Sequence, residues 1–182
     1  MRMETSDENL VNLAQSGDAA AFSALISRHY DLMHRIGYRI LGSQTEAQDM
    51  TQDLCIALGA KIASFRGDAK FTTWLYRVAI NAARDRLRKR TTRQKAQENW
   101  GAYEVNSRAA DAENRAQLDW LQQAMQTLPD DLRETVALVL GEDMTHAAAA
   151  EALNIPQGTV SWRMSEVKKH LRAQAQSEEL IK

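Results

Sequence analysis

The chain has 182 residues, 44% hydrophobic and 26% charged, enough for one ordinary globular domain or two small ones. No apolar run approaches the roughly 20 residues of a membrane span. The N-terminus MRMETSDENL is too polar and acidic for a secretory signal, and the single cysteine, Cys55, excludes an intramolecular disulfide and fits a reducing compartment. The net charge of −1 conceals two basic islands on either side of an acidic middle, the pattern expected of two contacts with a polyanion. For one island alone, a solvated helix end favoured by the helix dipole is the competing explanation.

With two prolines, eight glycines and abundant Ala, Leu, Gln and Arg, the composition favours an all-α chain. Residues 7–15 read as a short helix with Leu10, Val11 and Ala14 inward, ended by Ser16-Gly17-Asp18. Asp18 caps a longer helix whose stripe is Phe22, Leu25/Ile26, His29, Met33, Ile36 and Ile40, stopping at Gly42. Ser43 and Glu46 form a capping box that opens a helix with Ala47, Met50, Leu54, Ala57/Leu58 and Ile62 inward. After a break at SFRGDAK (64–70), a helix starting near Thr72 places Trp74/Leu75, Val78 and Ala82 inward. It then enters RDRLRKRTTRQK (84–95), where seven basic residues stand against the single acid Asp85.

The polar stretch that follows lacks apolar periodicity and reads as a linker. Helices resume with Leu118, Leu121 and Ala124/Met125 and end at Leu128-Pro129. Another covers about 131–140 with Leu132, Val136 and Val139/Leu140 inward, ending at Gly141. Thr145 to Leu153, a turn at 154–158 and a helix over 159–172 make a helix-turn-helix. Val160, Met164, Val167 and Leu171 form its buried stripe. The opposite face carries Gly158, Trp162, Ser165, Glu166 and Lys169, flanked by Arg163 and Arg172, and suits a DNA major groove. Packing of Trp162 against a neighbouring helix is the alternative.

Enzyme chemistry finds no inventory here. The four histidines (29, 34, 146, 170) have no metal-ligand spacing and no cysteine partners, so no metal or cofactor is expected. Cys55 falls on the polar side of its helix with nothing nearby to activate it. No glycine-rich phosphate loop is present. His29 and Tyr30 read as packed polar residues.

Several stretches together resemble the extracytoplasmic-function (ECF) sigma factors. AQDMTQDLCIAL (47–58) resembles their acidic polymerase-binding helix, of the pattern Asp-Leu-Val-Gln-Glu. FRGDAKFTTWLYRVAINAARDRLRKR (65–90) resembles their −10-element reader, with the Trp-Leu-Tyr-Arg-(Val/Ile)-Ala-x-Asn core intact. LPDDLRETVAL (128–138) and NIPQGTVSWRM (154–164) are similar to the −35-reading domain. The resemblance implies two small helical domains, a region 2 domain over 1–92 and a region 4 domain over 116–182, joined by a flexible linker over 93–115. It implies a cytoplasmic transcription initiation factor of the stress-response type. Its partners would be the β and β′ subunits of core RNA polymerase, promoter DNA and an anti-sigma factor. Because the chain stops soon after Leu171, inhibition is expected from an external protein rather than from an added domain. A helix-turn-helix regulator that binds DNA alone is the competing class, and a protein-interaction adaptor is a more distant one. Neither needs the 47–90 block.

Asp49, Gln52 and Asp53 share one helical face. The resemblance assigns it to the β′ clamp, with Asp53 where the family usually carries Glu; a solvated acidic face is the alternative. Phe65, Arg66, Gly67, Asp68 and Lys70 form the loop of a pocket for an extruded base. Trp74, Arg77 and Asn81 follow on the next helix, Trp74 more as packing than as a base stacker, Asn81 as a reader of base edges. Arg84, Arg88 and Lys89 are expected to hold phosphates. The −35 reader comprises Thr159, Ser161, Trp162, Arg163, Ser165, Glu166, Lys168, Lys169 and Arg172, with Arg163, Lys168, Lys169 and Arg172 on phosphates. Glu166 stands where an arginine is usual; it either accepts from cytosine N4 or pairs with Arg163 or Lys169. A −35 element departing from the family's common motif is therefore expected.

Overall fold

A computed structural model describes residues 5–97 and 122–179, and every regular element among them is helical. The elements are α1 (Asp7–Gln15), α2 (Ala19–Leu41), α3 (Gln44–Lys61), a 3-10 turn (Ile62–Ser64), α4 (Phe71–Gln97), a helical stretch over 122–127, α5 (Asp130–Val139), α6 (His146–Leu153) and α7 (Gln157–Glu179). The expected linker lies, beyond Gln97, outside the described residues, as do Leu118 and Leu121. Up to Gln97, residues expected to begin the linker continue α4.

Local chemistry sets the helix ends. Ser6, Asp18, Ser43 and Thr145 each accept a backbone N–H from the first turn they precede, satisfying donors that have no partner inside the helix. Gly42 closes α2 at φ 74°, and Asn154 closes α6 at φ 55°, which turns the chain from α6 into α7. Leu25, Met33, Ile36 and Ile40 of α2 are fully buried, each worth about 1.5–3 kcal/mol against exposure. They make α2 the post against which α1, α3 and α4 pack. Gly37 permits the close approach of α3: a Cβ there would lie 2.7 Å from Met50 Cε. α5, α6 and α7 pack together around Leu132, Val136, Leu153, Val160, Met164 and Val167. The two groups of helices also meet, α2 against α5 and α4 against α6.

Four expectations need correcting. On α4 the buried stripe is Phe71, Leu75, Ala79, Ile80, Ala83 and Leu87, while Val78 and Ala82 are half-buried in a groove facing α3. Leu140 is 65% exposed rather than inward. The helix ends at Val139, and Leu138 takes the core position while the turn at Gly141 carries Leu140 outward. The helix that follows the turn begins at Gln157 and runs to Glu179, longer than expected at both ends. Cys55 is half-buried against the core, and burial pushes its thiol pKa up, away from reactivity.

Candidate functional site

α3 presents Asp49, Gln52 and Asp53 to solvent on one face. Asp53 pairs with Arg86 of α4 at 2.6 Å, yet its side chain stays 76% exposed. One turn beyond, Ile56 is 81% exposed. The face is thus an apolar side chain ringed by carboxylate and amide groups, suited to a surface that supplies cations around an apolar contact. The sequence reading missed Ile56. Its signal was an isoleucine out of register with the Met50/Leu54/Leu58 stripe.

Loop residues Phe65, Arg66, Gly67, Ala69 and Lys70 form one wall of a cavity of about 690 Å³, with Asp68 outside its lining. Phe65, Phe71 and Trp74 cluster with ring centroids 5.4 to 5.7 Å apart, so Trp74 spends its face on packing. Gly67, at φ 77°, makes the bend of the loop. Arg66, Asp68 and Lys70 are exposed. The opposite wall comes from α1 and α2, through Ser6, Asp7, Asn12, Gln15 and Arg28. Asp7 ties α1 to α2 by bonds to Arg28 at 2.6 Å and His29 at 2.9 Å. His29 is buried against Phe71, as a packed polar residue. Gln15 donates its side-chain amide to the carbonyls of Ile62 (2.9 Å) and Phe65 (2.8 Å), fixing the start of the loop. None of these α1 residues stood out in the sequence, where that helix offered only a short apolar stripe.

Along α4, Asn81, Arg88 and Lys89 are exposed, and Arg88 pairs with Asp85. Arg77 and Arg84 are half-buried and turned toward the helix-turn-helix domain. Asn81 accepts a bond from Arg84 at 3.2 Å. The −10 candidates therefore lie on one helix and its preceding loop, with the guanidiniums of Arg77 and Arg84 engaged by the helix-turn-helix domain and that of Arg88 by Asp85 on its own helix.

α7 projects Ser161, Trp162, Ser165, Lys168, Lys169 and Arg172 outward, with Trp162 58% exposed. Thr159 is half-buried. Ser161 is 2.9 Å from His146 Nδ1, which ties the start of α6 to the outward face of α7. Glu166 pairs with Lys169 at 2.5 Å. Arg163 points inward: its side chain is 15% exposed, 3.3 Å from the Asp131 carboxylate and 3.4 Å from Thr135 Oγ1. As placed, it holds α7 to α5 and is not directed at a phosphate.

No group of His, Cys, Asp and Glu among the described residues is arranged to hold a metal ion, and no helix among them is long and apolar enough to cross a membrane.

Comparison with known proteins agrees with this arrangement. Residues 25–93 match the family model of Sigma-70 region 2 and residues 118–171 that of Sigma-70, region 4. The ECF RNA polymerase sigma factor SigW of Bacillus subtilis is 30% identical over 94% of this chain and 98% of its own. The RNA polymerase sigma-H factor of Pseudomonas aeruginosa is 32% identical over 90% of this chain and 91% of its own. CnrH, solved in complex with the cytosolic domain of CnrY, superposes with a TM-score of 0.70 at 25% identity, over 94% of this chain and 97% of that one. The sigma factor RpoE of Bartonella quintana, solved with the anti-sigma factor NepR, shares the fold at a TM-score of 0.70 and 20% identity, over 85% of this chain and 96% of that one. With both regional models matched in chain order and relatives aligned over nearly their whole length, the chain belongs to the extracytoplasmic-function RNA polymerase sigma factors.

Proposed function

We propose that this sigma factor divides its work among three surfaces. Asp49, Gln52, Asp53 and Ile56 of α3 dock on the β′ subunit of core polymerase. Loop 65–70 with Asn81, Arg84, Arg88 and Lys89 takes the −10 element. Trp162, Ser165, Glu166, Lys168, Lys169 and Arg172 of α7 take the −35 element. The domains divide as 1–92 and 116–182, and the polymerase, acting in the cytoplasm, performs the chemistry. An anti-sigma protein is the further partner, as NepR is for the Bartonella factor.

The observation that carries this reading is the cavity between α1 and loop 65–70. Strand separation needs a receptor that compensates a base for its lost stacking and pairing. This cavity offers amide, carboxylate and guanidinium groups from Asn12, Asp7 and Arg28 beside an aromatic wall. A groove that only gripped duplex backbone would need no such recess. Shortening loop 65–70, or Asn81→Ala, should lower open-complex formation by the holoenzyme more than closed-complex binding. Permanganate reactivity of −10 thymines reports the difference. Equal loss of both complexes would assign the loop to folding alone.

A further inference from the structure

A helix laid in a major groove reads base edges through its N-terminal residues. On α7 that stretch is shallow. Gly158, Ser161 and Ser165 are exposed and short, and a Cβ built at Gly158 would meet nothing within 4 Å. A base pair can therefore approach the backbone here more closely than beside the long side chains of Trp162, Lys168, Lys169 and Arg172. The Ser161 hydroxyl, in the middle of this strip, is already engaged. It donates to the Gln157 carbonyl one turn back at 3.3 Å and lies 2.9 Å from His146 Nδ1. His146 is placed for that contact. It is the first residue of α6, whose start is fixed by Thr145, which accepts the Ala148 N–H at 3.2 Å. Four alanines follow it in HAAAAEAL, so the first turn of α6 brings one functional side chain toward α7, the imidazole.

A hydroxyl has one hydrogen and two lone pairs, and a carbonyl oxygen only accepts. Both contacts of Ser161 hold together when its hydrogen goes to Gln157 and His146 donates from Nδ1. If Ser161 gives its hydrogen to a bare Nδ1 instead, the shorter of the two bonds keeps it. In either arrangement the hydrogen stays inside the protein and a lone pair faces outward.

We infer that His146 is a positioning residue that makes Ser161 an acceptor-only reader of the −35 element. The inference deepens the reading of α7 as the −35 surface and rests on it. A free serine hydroxyl rotates, so it donates to a keto oxygen as readily as it accepts from an amino group, and it selects neither. Held by His146, it can only accept. In the major groove each base pair presents one amino group, adenine N6 or cytosine N4, and one keto oxygen, thymine O4 or guanine O6. Ser161 thus selects adenine or cytosine on the strand it faces and disfavours thymine or guanine there. A phosphate, whose oxygens accept, offers it nothing, so Ser161 belongs to base reading while Lys168, Lys169 and Arg172 serve the backbone.

The test uses holoenzyme assembled from the full-length chain and core polymerase, which selects duplexes from a pool randomised over the promoter. Wild type should favour adenine or cytosine over thymine or guanine at one −35 position by about fivefold, the size of one net hydrogen bond. Ser161→Ala should remove that preference and leave the other positions unchanged. His146→Phe keeps a ring but frees the hydroxyl, so the same preference should nearly vanish while overall affinity is kept. His146→Asn, whose amide nitrogen stands close to the place of Nδ1, should restore it. His146→Gln, whose amide stands nearer the place of Nε2, should not. A histidine that merely braced α6 would move every position together or none, and asparagine would not rescue it. Circular dichroism checks folding, and His146→Ala stands in if the phenylalanine variant does not fold.

A wild type without an amino preference at any position that Ser161→Ala alters would overturn the inference. So would a preference that is lost in Ser161→Ala but survives His146→Phe. In both cases α7 keeps its −35 role if joint replacement of Lys168, Lys169 and Arg172 by alanine still weakens −35 binding. If that triple variant binds as wild type does, the reading of α7 falls and the inference with it.

Discussion

α4 and α7 both carry a run of cations expected to meet DNA, and they differ in what those cations touch. On α7, Lys168, Lys169 and Arg172 stand in solvent beside Trp162, and among the described residues Lys169 alone of the three has a carboxylate partner, on its own helix. On α4, Arg77 and Arg84 are spoken for by another domain, while Arg88, paired with Asp85 on its own helix, and Lys89 are exposed. The cause is position. Arg77 and Arg84 sit beside α5 and α6, whose carboxylates and carbonyl ends face them; α7 lies on the outer side of the same domain. Equal charge in the sequence thus becomes unequal availability in the fold: the cations of α7 stand in solvent, while Arg77 and Arg84 of α4 face another domain.

The largest effect should come from removing the residue that builds the domain packed against α4. Arg133 is buried, and its guanidinium donates to Met125, Gln126 and Leu128 as well as to Ile40. Burial holds its pKa below the ordinary arginine value, so the charge is kept there at some cost. Arg133→Ala would leave several buried carbonyls without donors. About 3–5 kcal/mol of stability should be lost, and α5–α7 should melt ahead of α1–α4. Hydrogen exchange resolved by segment checks this. A single, barely shifted transition would show that the two halves do not differ in this way.

Next in size is the contrast in DNA binding. Replacing Lys168, Lys169 and Arg172 by alanine should weaken duplex binding by the free chain about a hundredfold. The log–log salt slope should fall by about 0.9 for each phosphate that is no longer neutralised. Arg84→Ala should scarcely change the same measurement, because Glu134 holds its guanidinium in the free chain. Fluorescence anisotropy across a salt series compares them. Equal losses of affinity would mean that both faces are open.

The sequence made half of this comparison readable. The Leu25–Met33–Ile36–Ile40 stripe was clear because α2 buries one face with a regular period. Ser43 with Glu46 marked a helix start because capping chemistry is local. The buried stripe of α4 was misassigned because that helix is covered on more than one side, by α2 and α3 and by α6, so apolar residues recur without one clean period. The Arg84–Glu134 pair spans 50 residues and leaves no local trace, and nothing within LPDDLRETVAL singles Glu134 out. The wall that α1 gives the cavity was hidden for a similar reason: Asn12 and Gln15 face a loop remote in sequence.

A smaller effect is expected at Gln15, which touches the −10 loop without lying on α4. Gln15→Ala removes two bonds from the loop's entry. Open-complex formation should fall about tenfold while closed-complex affinity is kept, and Gln15→Glu, which cannot donate, should not rescue it. Equal loss of both complexes would make Gln15 a stabilising residue only.

Packing of α5–α7 against α2 and α4 should also depend on pH. Burial pushes the Glu142 carboxyl up, but bonds from Arg35, Arg39 and Tyr76 outweigh it and hold the pKa below its ordinary value of 4.5. A carboxylate depressed in the packed form stabilises that form above the ordinary range, and the contribution is lost as pH falls through the depressed value. The radius of gyration should therefore stay constant from neutral pH to about 5 and grow below about 4.5. Glu142→Gln should flatten that dependence. A wild type that expands on raising the pH from 5 to 7 would contradict the assigned sign.

The smallest effect concerns Glu166, on the open face. In the free chain it pairs with Lys169, which favours the view that it reads nothing. The energies argue otherwise. An exposed pair three residues apart on a helix is worth about 0.2–0.5 kcal/mol, whereas a well-placed bond to a base edge discriminates by about 1–3 kcal/mol. DNA can therefore draw Lys169 to a phosphate and leave Glu166 free to accept from cytosine N4. Trp162, too exposed to be a packing residue, lies one turn away and can meet a thymine methyl or a sugar. Glu166→Arg should shift preference at one −35 position by about fivefold or more, toward guanine, in selections from a randomised pool. The other positions should be unchanged. Identical preferences for both proteins would confine Glu166 to its pair with Lys169 and leave Trp162 as the reader to test next.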